Sequence, residues 1–135
     1  MRQPAAMSLV LDSQALSLLL CSDRQTITRI EAARRVGAPV LVSALTVVEA
    51  ACGKTDTARP HRVLSRLQVQ DVTRADGLTA VRLLNDAGGL HGHKHAVDAL
   101  VATMALRSPA PVLILTSDRD DWSKLCGEQV QIKDV

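Results

Sequence analysis

"PVLILTSDRDDW", residues 111–122, opens on an apolar run and ends in three carboxylates, Asp118, Asp120 and Asp121. Val112 to Leu115, framed by Pro109 and Pro111, read as a short buried strand rich in branched side chains. "DRDDWSKLCG" follows at once with helical character. A fully apolar strand that runs straight into a helix belongs in a parallel sheet, where helical crossovers cover both faces. The acids at the strand tip have two possible roles. They cap the next helix, or they hold a cation.

Outward from this stretch the same grammar repeats. "SLVLD" (8–12) is an apolar run that ends in an acid, and helical "SQALSLLLC" follows it. "RQTITRIEAARRVG" places Ile27, Ile30, Ala33 and Val36 at helical spacing, with Arg29, Arg34 and Arg35 on a solvated basic face and Gly37 as the stop. "APVLVS" (38–43) is a second strand. "ALTVVEAACG" (44–53) is a helix stopped by Gly53, "KTDTARP" a loop, "HRVLSRL" a short helix and "QVQDV" (68–72) a third strand. "RADGLTAVRLLNDAGG" is a helix with Leu78, Val81, Leu84 and Ala87 on one face, ended by Gly88 and Gly89. "LHGHKH" reads as a loop, "AVDALVATMALRS" as a helix and "VQIKD" as the last strand. Strands that alternate with helices predict an α/β fold, a three-layer α/β/α sandwich with a mainly parallel central sheet of about five strands. The pattern spans residues 7–135 as one domain, and "MRQPAA" (1–6) reads as a flexible lead. Ligands of such folds bind outside the carboxyl ends of the strands, near the topological switch point.

Composition narrows the function classes. The chain has 135 residues, and Trp122 is its only aromatic side chain. That argues against nucleic-acid modules that stack bases on aromatic residues. The net charge of +2 gives no global attraction for a polyanion. Cys21, Cys52 and Cys126 are far apart and form no CxxC, as expected of reduced thiols in the cytoplasm. No run approaches the roughly 18–20 apolar residues of a membrane span, so the expectation is a soluble cytoplasmic protein.

The acids decide between the two roles. Asp12, followed by Ser13, and Asp118 each suit an N-cap. Asp98 falls early in its helix, where the macrodipole favours it. Glu49 does not fit this account. It sits late in an apolar helix, at the wrong end of the dipole, and needs a cation, a basic side chain or water. Each of the four lies at a strand terminus or on a helix next to one. Brought together they repel unless neutralised. A hard oxygen set without thiolate or imidazole favours Mg²⁺ or Mn²⁺ over zinc.

These positions carry a resemblance. Asp12 in "LVLDSQAL", Glu49 in "LTVVEA", Asp98 in "HAVDALVATMA" and Asp118 in "LILTSDRDD" resemble, in order and context, the acids of the PIN domain. Thr116 matches the small hydroxyl residue two positions before the last of them. The likeness spans about residues 7 to 135 and is nearest the VapC-like toxin ribonucleases of type II toxin–antitoxin modules. It implies an endoribonuclease that hydrolyses RNA phosphodiester bonds with metal-activated water. Asp12, Glu49, Asp98 and Asp118 would be the catalytic, Mg²⁺-binding residues (Mn²⁺ as the alternative), with Asp121 as an auxiliary and Thr116 and Ser13 in support. It also implies a homodimer, inhibited by a small antitoxin whose C-terminal segment covers the site. A catalytically inactive PIN-like module that binds RNA or an antitoxin, and a metal nuclease acting on DNA, are the alternatives.

"LHGHKHAVD" offers His91, His93 and His95 near Asp98, but not the Cys/His spacing of a zinc site. Within the resemblance, Lys94 and His95 are candidates for RNA contact at the rim. Other enzyme classes fit worse. Gln14 stands where a haloacid-dehalogenase-type phosphatase needs its second Asp. There is no Walker A sequence and no GxGxxG, and no serine sits in a nucleophile elbow.

Overall fold

The computed structural model describes residues 7–51, 58–88 and 90–135. The expectations placed on residues 1–6, on Cys52 and Gly53, on positions 54–57 and on Gly89 lie outside them. In chain order the elements are β1 (Ser8–Leu11), α1 (Ser13–Leu20), α2 (Arg24–Arg35), β2 (Val40–Ser43), α3 (Ala44–Ala51), α4 (Ala58–Leu64), β3 (Gln68–Gln70), α5 (Arg74–Ala87), α6 (Gly92–Leu106), β4 (Val112–Thr116), α7 (Arg119–Cys126) and β5 (Gln131–Asp134). The strands form one five-stranded sheet in the order β3-β2-β1-β4-β5. Every pairing is parallel.

The pleat sorts the strand residues into two cores. Val10, Leu41, Val112 and Ile114 face one side and cluster with Ala99, Ala102 and Ala105 of α6 and Trp122 and Leu125 of α7. Leu9, Leu11, Val40 and Leu115 face the other and cluster with Ala15 of α1 and Ile30 of α2. Val42 joins Leu16, Leu20 and Ala50 on that second side. This alternation is the period of two that a strand buried on both faces requires. Each fully buried Leu, Ile or Val contributes about 1.5–3 kcal/mol.

Several local expectations are corrected. Helix α4 begins at Ala58, within the stretch read as a loop. The expected loop "LHGHKH" is also largely helical: His91 is the N-cap of α6, and the backbone leaves helical geometry only at His95 (φ −113°, ψ 15°). Val36 is the C-cap of α2 and is 74% exposed, past the last inward-facing turn.

The largest correction concerns α5. Leu78 and Val81 are 69% and 57% exposed. The inward stripe instead runs through the buried Asp76 and Ala80 and the partly buried Leu83, Leu84 and Ala87. Asp76 is the reason. Its carboxylate accepts the Thr73 N–H in a capping box, and Arg107, at the end of α6, donates to it through Nε at 3.0 Å and Nη2 at 3.1 Å. A paired carboxylate thus takes the first inward position and sets the rotation of the helix.

The chain moves outward from β1 to β2 to β3, then crosses to the opposite side of β1 to place β4 and β5. The topological switch point therefore lies between β1 and β4, whose carboxyl ends lead to Asp12 and Asp118. No helix among the described residues is long and apolar enough to cross a membrane.

Candidate functional site

Asp12 follows β1 and is drawn to β4 through its backbone N–H, which donates to the Leu115 carbonyl at 3.0 Å. Although Asp12 and Asp118 are the N-cap residues of α1 and α7, neither makes a side-chain capping bond. Asp12 thus has no capping role, while the Asp118 carboxylate feels the Asp121 backbone N–H without forming a full capping bond. Asp12 Oδ2 instead accepts from the Thr116 hydroxyl at 2.7 Å and from Trp122 Nε1 at 3.0 Å. The same Thr116 oxygen accepts the Asp118 N–H at 3.0 Å. One buried hydroxyl at the end of β4 therefore sets the carboxylate of one acid and the backbone of the other.

Three further carboxylates approach from the helices. Glu49 lies in the last turn of α3 and is exposed, although its sequence neighbours are apolar. Among the described residues no cation pairs with it. Asp98 stands on α6 three residues beyond the departure at His95, and not in the first turn of the helix. Asp121 lies on α7, half-buried. Asp120, one residue earlier, turns to solvent and pairs with Lys124 at 2.9 Å.

The electrostatics tie these groups together. Burial raises the Asp98 carboxyl above the ordinary carboxylate range; the hydrogen bond from His95 opposes this, and the charges of Asp12 and Asp121 add to it. Partial desolvation, then Asp12 and Asp98, raise Glu49. Asp118 is raised by burial, then by its contact with Asp121 and the charge of Asp98. These acids feel one another's charge, which sequence spacing could not show.

The tightest grouping differs from the expected four acids. His95 Nδ1 lies 3.3 Å from Asp98 Oδ2 and 3.5 Å from Asp121 Oδ2. Among the described residues, these three alone offer metal-ligating atoms all within 4.8 Å of one another. Asp12, Glu49 and Asp118 flank the group without belonging to it.

No protein-family model matches the sequence, and no curated protein is similar to it. Solved structures are similar in fold. A chain of VapBC2 from Rickettsia felis, bound to a DNA fragment from their promoter, gives a TM-score of 0.71 at 13% identity, over 96% of this chain and 98% of that one. A chain of a toxin–antitoxin complex from Klebsiella pneumoniae gives 0.67 at 19%, over 91% and 95%. DNA-bound VapBC from Salmonella typhimurium gives 0.68 at 16%, over 95% and 98%. The chain has a VapC-like, PIN-like fold.

Within this VapC-like fold the remaining sequence candidates separate. Ser13 opens α1 half-buried, and among the described residues its side chain makes no hydrogen bond. Lys94 is exposed on the first turn of α6. His95, expected at the rim beside Asp98, is 8% exposed and faces the carboxylates. The residue that sequence reasoning missed is Trp122, 2% exposed and bonded to Asp12. Its signal was present: the only aromatic residue of the chain directly follows Asp121. A buried indole N–H seeks an acceptor.

Proposed function

We propose that the protein is a metal-dependent endoribonuclease, the toxin of a type II toxin–antitoxin module that acts in the cytoplasm. One observation carries the reading. Five carboxylates from β1, α3, α6 and the β4–α7 junction share one field at the switch point of the sheet, and three of them are held above the ordinary carboxylate range. Such mutual repulsion is what a divalent cation relieves. The donor set fits a hard ion, with Asp12, Glu49, Asp98 and Asp118 holding it and Asp121 beside them.

When bound, a divalent cation polarises a phosphoryl oxygen and lowers the pKa of a coordinated water. The chain's own residues supply the positioning. Thr116 and Trp122 lock one oxygen of Asp12 and leave the other for ligation. Thr116 also fixes the backbone from which Asp118 projects. His95 stands between Asp98 and Asp121, within 3.3 Å and 3.5 Å of their oxygens. Lys94, exposed on the same turn of α6, is placed to meet a phosphate of the RNA backbone.

The partners proposed are an RNA substrate, a small antitoxin and a second copy of the chain. The antitoxin is supported by the toxin–antitoxin complexes that share the fold. The test is cleavage of total cellular RNA by wild type and Asp12→Asn, with Mg²⁺, Mn²⁺ or EDTA. Wild type should cut with metal and stop with EDTA, and Asp12→Asn should be inactive though folded. Tight RNA binding by wild type without cleavage in any metal would replace the enzyme with a binding module.

A further inference from the structure

We propose that His95 is a metal ligand, supplying an imidazole nitrogen beside the carboxylates of Asp98 and Asp121, so that the site prefers a first-row transition ion such as Mn²⁺ over Mg²⁺. The proposal rests on the reading of this region as a cation site, and it adds a nitrogen donor to what was expected to be an all-oxygen set.

Distances separate ligation from a simple hydrogen-bonded histidine. A strong charge-assisted N–H···O bond is about 2.7–2.9 Å long. This protein makes compact contacts to other carboxylates, 2.7 Å from Thr116 to Asp12 and 2.9 Å from Lys124 to Asp120. His95 Nδ1 instead stands at 3.3 Å and 3.5 Å from two carboxylate oxygens at once. One ring nitrogen carries a single hydrogen, and sharing it between both oxygens makes only a long, weak contact to each. Donor atoms around an ion behave differently. With metal–ligand distances near 2.1 Å, neighbouring donors stand roughly 3.0 Å apart in an octahedron and roughly 3.4 Å apart in a tetrahedron. The 3.3 Å and 3.5 Å around His95 Nδ1 lie close to the tetrahedral edge and a few tenths of an ångström beyond the octahedral one.

The fold holds the ring in this position. His95 is 8% exposed, whereas His91 and His93, on the same turn, are exposed. The carboxylates come from two elements, Asp98 from α6 and Asp121 from α7, and the imidazole stands within reach of both. An imidazole lone pair suits transition ions, whereas Mg²⁺ takes oxygen ligands. A histidine in this triad therefore alters which ion is kept.

The experiment loads wild type, His93→Asn and His95→Asn with Mn²⁺ and reads nitrogen coupling to the ion by pulsed electron paramagnetic resonance. Mn²⁺ and Mg²⁺ affinities are measured by competition on the same samples. The expected result is ¹⁴N coupling in wild type and His93→Asn and its loss in His95→Asn. His95→Asn should also lose the Mn²⁺-over-Mg²⁺ preference by roughly tenfold or more. A histidine that only braces the carboxylates would weaken both ions alike, and that result overturns the proposal. So does Mn²⁺ bound to wild type without nitrogen coupling, a measurement that needs no variant to fold. RNA cleavage without nitrogen coupling overturns the ligand and keeps the nuclease. Nitrogen coupling without cleavage of any RNA keeps the ligand and removes the nuclease.

Discussion

Trp122 Nε1 donates to Asp12 Oδ2 at 3.0 Å across 110 positions of sequence. The bond joins the start of α1 to the first turns of α7 and fixes the carboxylate that follows the central strand. Trp122→Phe keeps most of the buried ring and deletes this donor. The loss of a hydrogen bond to a charged acceptor should cost about 1.5–3 kcal/mol. RNA cleavage should fall about 10–100-fold, as when an orienting partner of a metal ligand is removed. Thermal melts and cleavage rates for the purified variant check both, and wild-type rates would show that Asp12 needs no such support.

Thr116 holds two acids through one oxygen. Thr116→Ser keeps the donor to Asp12 and the acceptor for the Asp118 N–H, so its activity should stay near wild type. Thr116→Val loses both and leaves a part-buried N–H without its acceptor, for a penalty of about 1–3 kcal/mol and a larger fall in cleavage. Parallel assays of the two variants should rank Ser well above Val.

The raised carboxyls of Asp98, Glu49 and Asp118 give the cation-free protein a pH dependence. A carboxyl raised on folding binds its proton more tightly in the native state. Stability therefore falls as pH rises from the unfolded values, 3.8 for Asp and 4.5 for Glu, through the higher native ones. In EDTA the melting temperature should drop as pH is raised from about 5 towards 7, the window just above those ordinary values. Asp98→Asn should flatten that limb and be the more stable protein at pH 7. Added Mn²⁺ or Mg²⁺ should raise wild type more than Asp98→Asn. Equal shifts in the two proteins would contradict a shared site.

Asp76 has the opposite sign. Its hydrogen bonds from Arg107, outweighing its burial, together with those from Thr73, hold its carboxyl below 3.8. Its stabilising contribution is complete above that value and is lost as pH falls through the lower native one. Arg107→Ala leaves the carboxylate of the buried Asp76 without its main partner and should cost about 1.5–3 kcal/mol at pH 7. Urea melts at pH 7 and pH 3 should show the gap between wild type and variant closing in acid.

The acids after β4 should divide by direction. Asp120→Asn loses an exposed pair with Lys124 and should leave RNA cleavage unchanged. Asp121→Asn and Asp118→Asn should both lose cleavage, Asp121→Asn at least as much, because its oxygen belongs to the closest donor group. Since neither Asp12 nor Asp118 makes a side-chain cap, Asp118→Asn should not lower the melting temperature through capping. The three variants side by side, in melts and in an RNA cleavage assay, test this order.

Much of this protein was legible in one dimension. Apolar runs such as "SLVL" and "VLIL" have no polar face, and a strand of that kind is stable only between two helical layers; the parallel sheet followed from that. Asp12 and Asp118 could be placed at strand ends because they directly follow such runs. Tertiary structure decided the rest. On α5 the periodicity of Leu78 and Val81 was misleading, because an ion pair between the buried Asp76 and the exposed Arg107, 31 residues apart, set the helix rotation. At the site, Asp12 and Asp118 had the local sequence of helix caps, and the long-range Thr116 and Trp122 donors drew Asp12 elsewhere. His95 had the local sequence of a solvated loop, yet α6 starts before it and turns its ring against Asp121, 26 positions later in the chain. Hydrophobic periodicity is a local property that a strand or helix carries alone. Which polar atom meets which depends on side chains that become neighbours only when the elements pack.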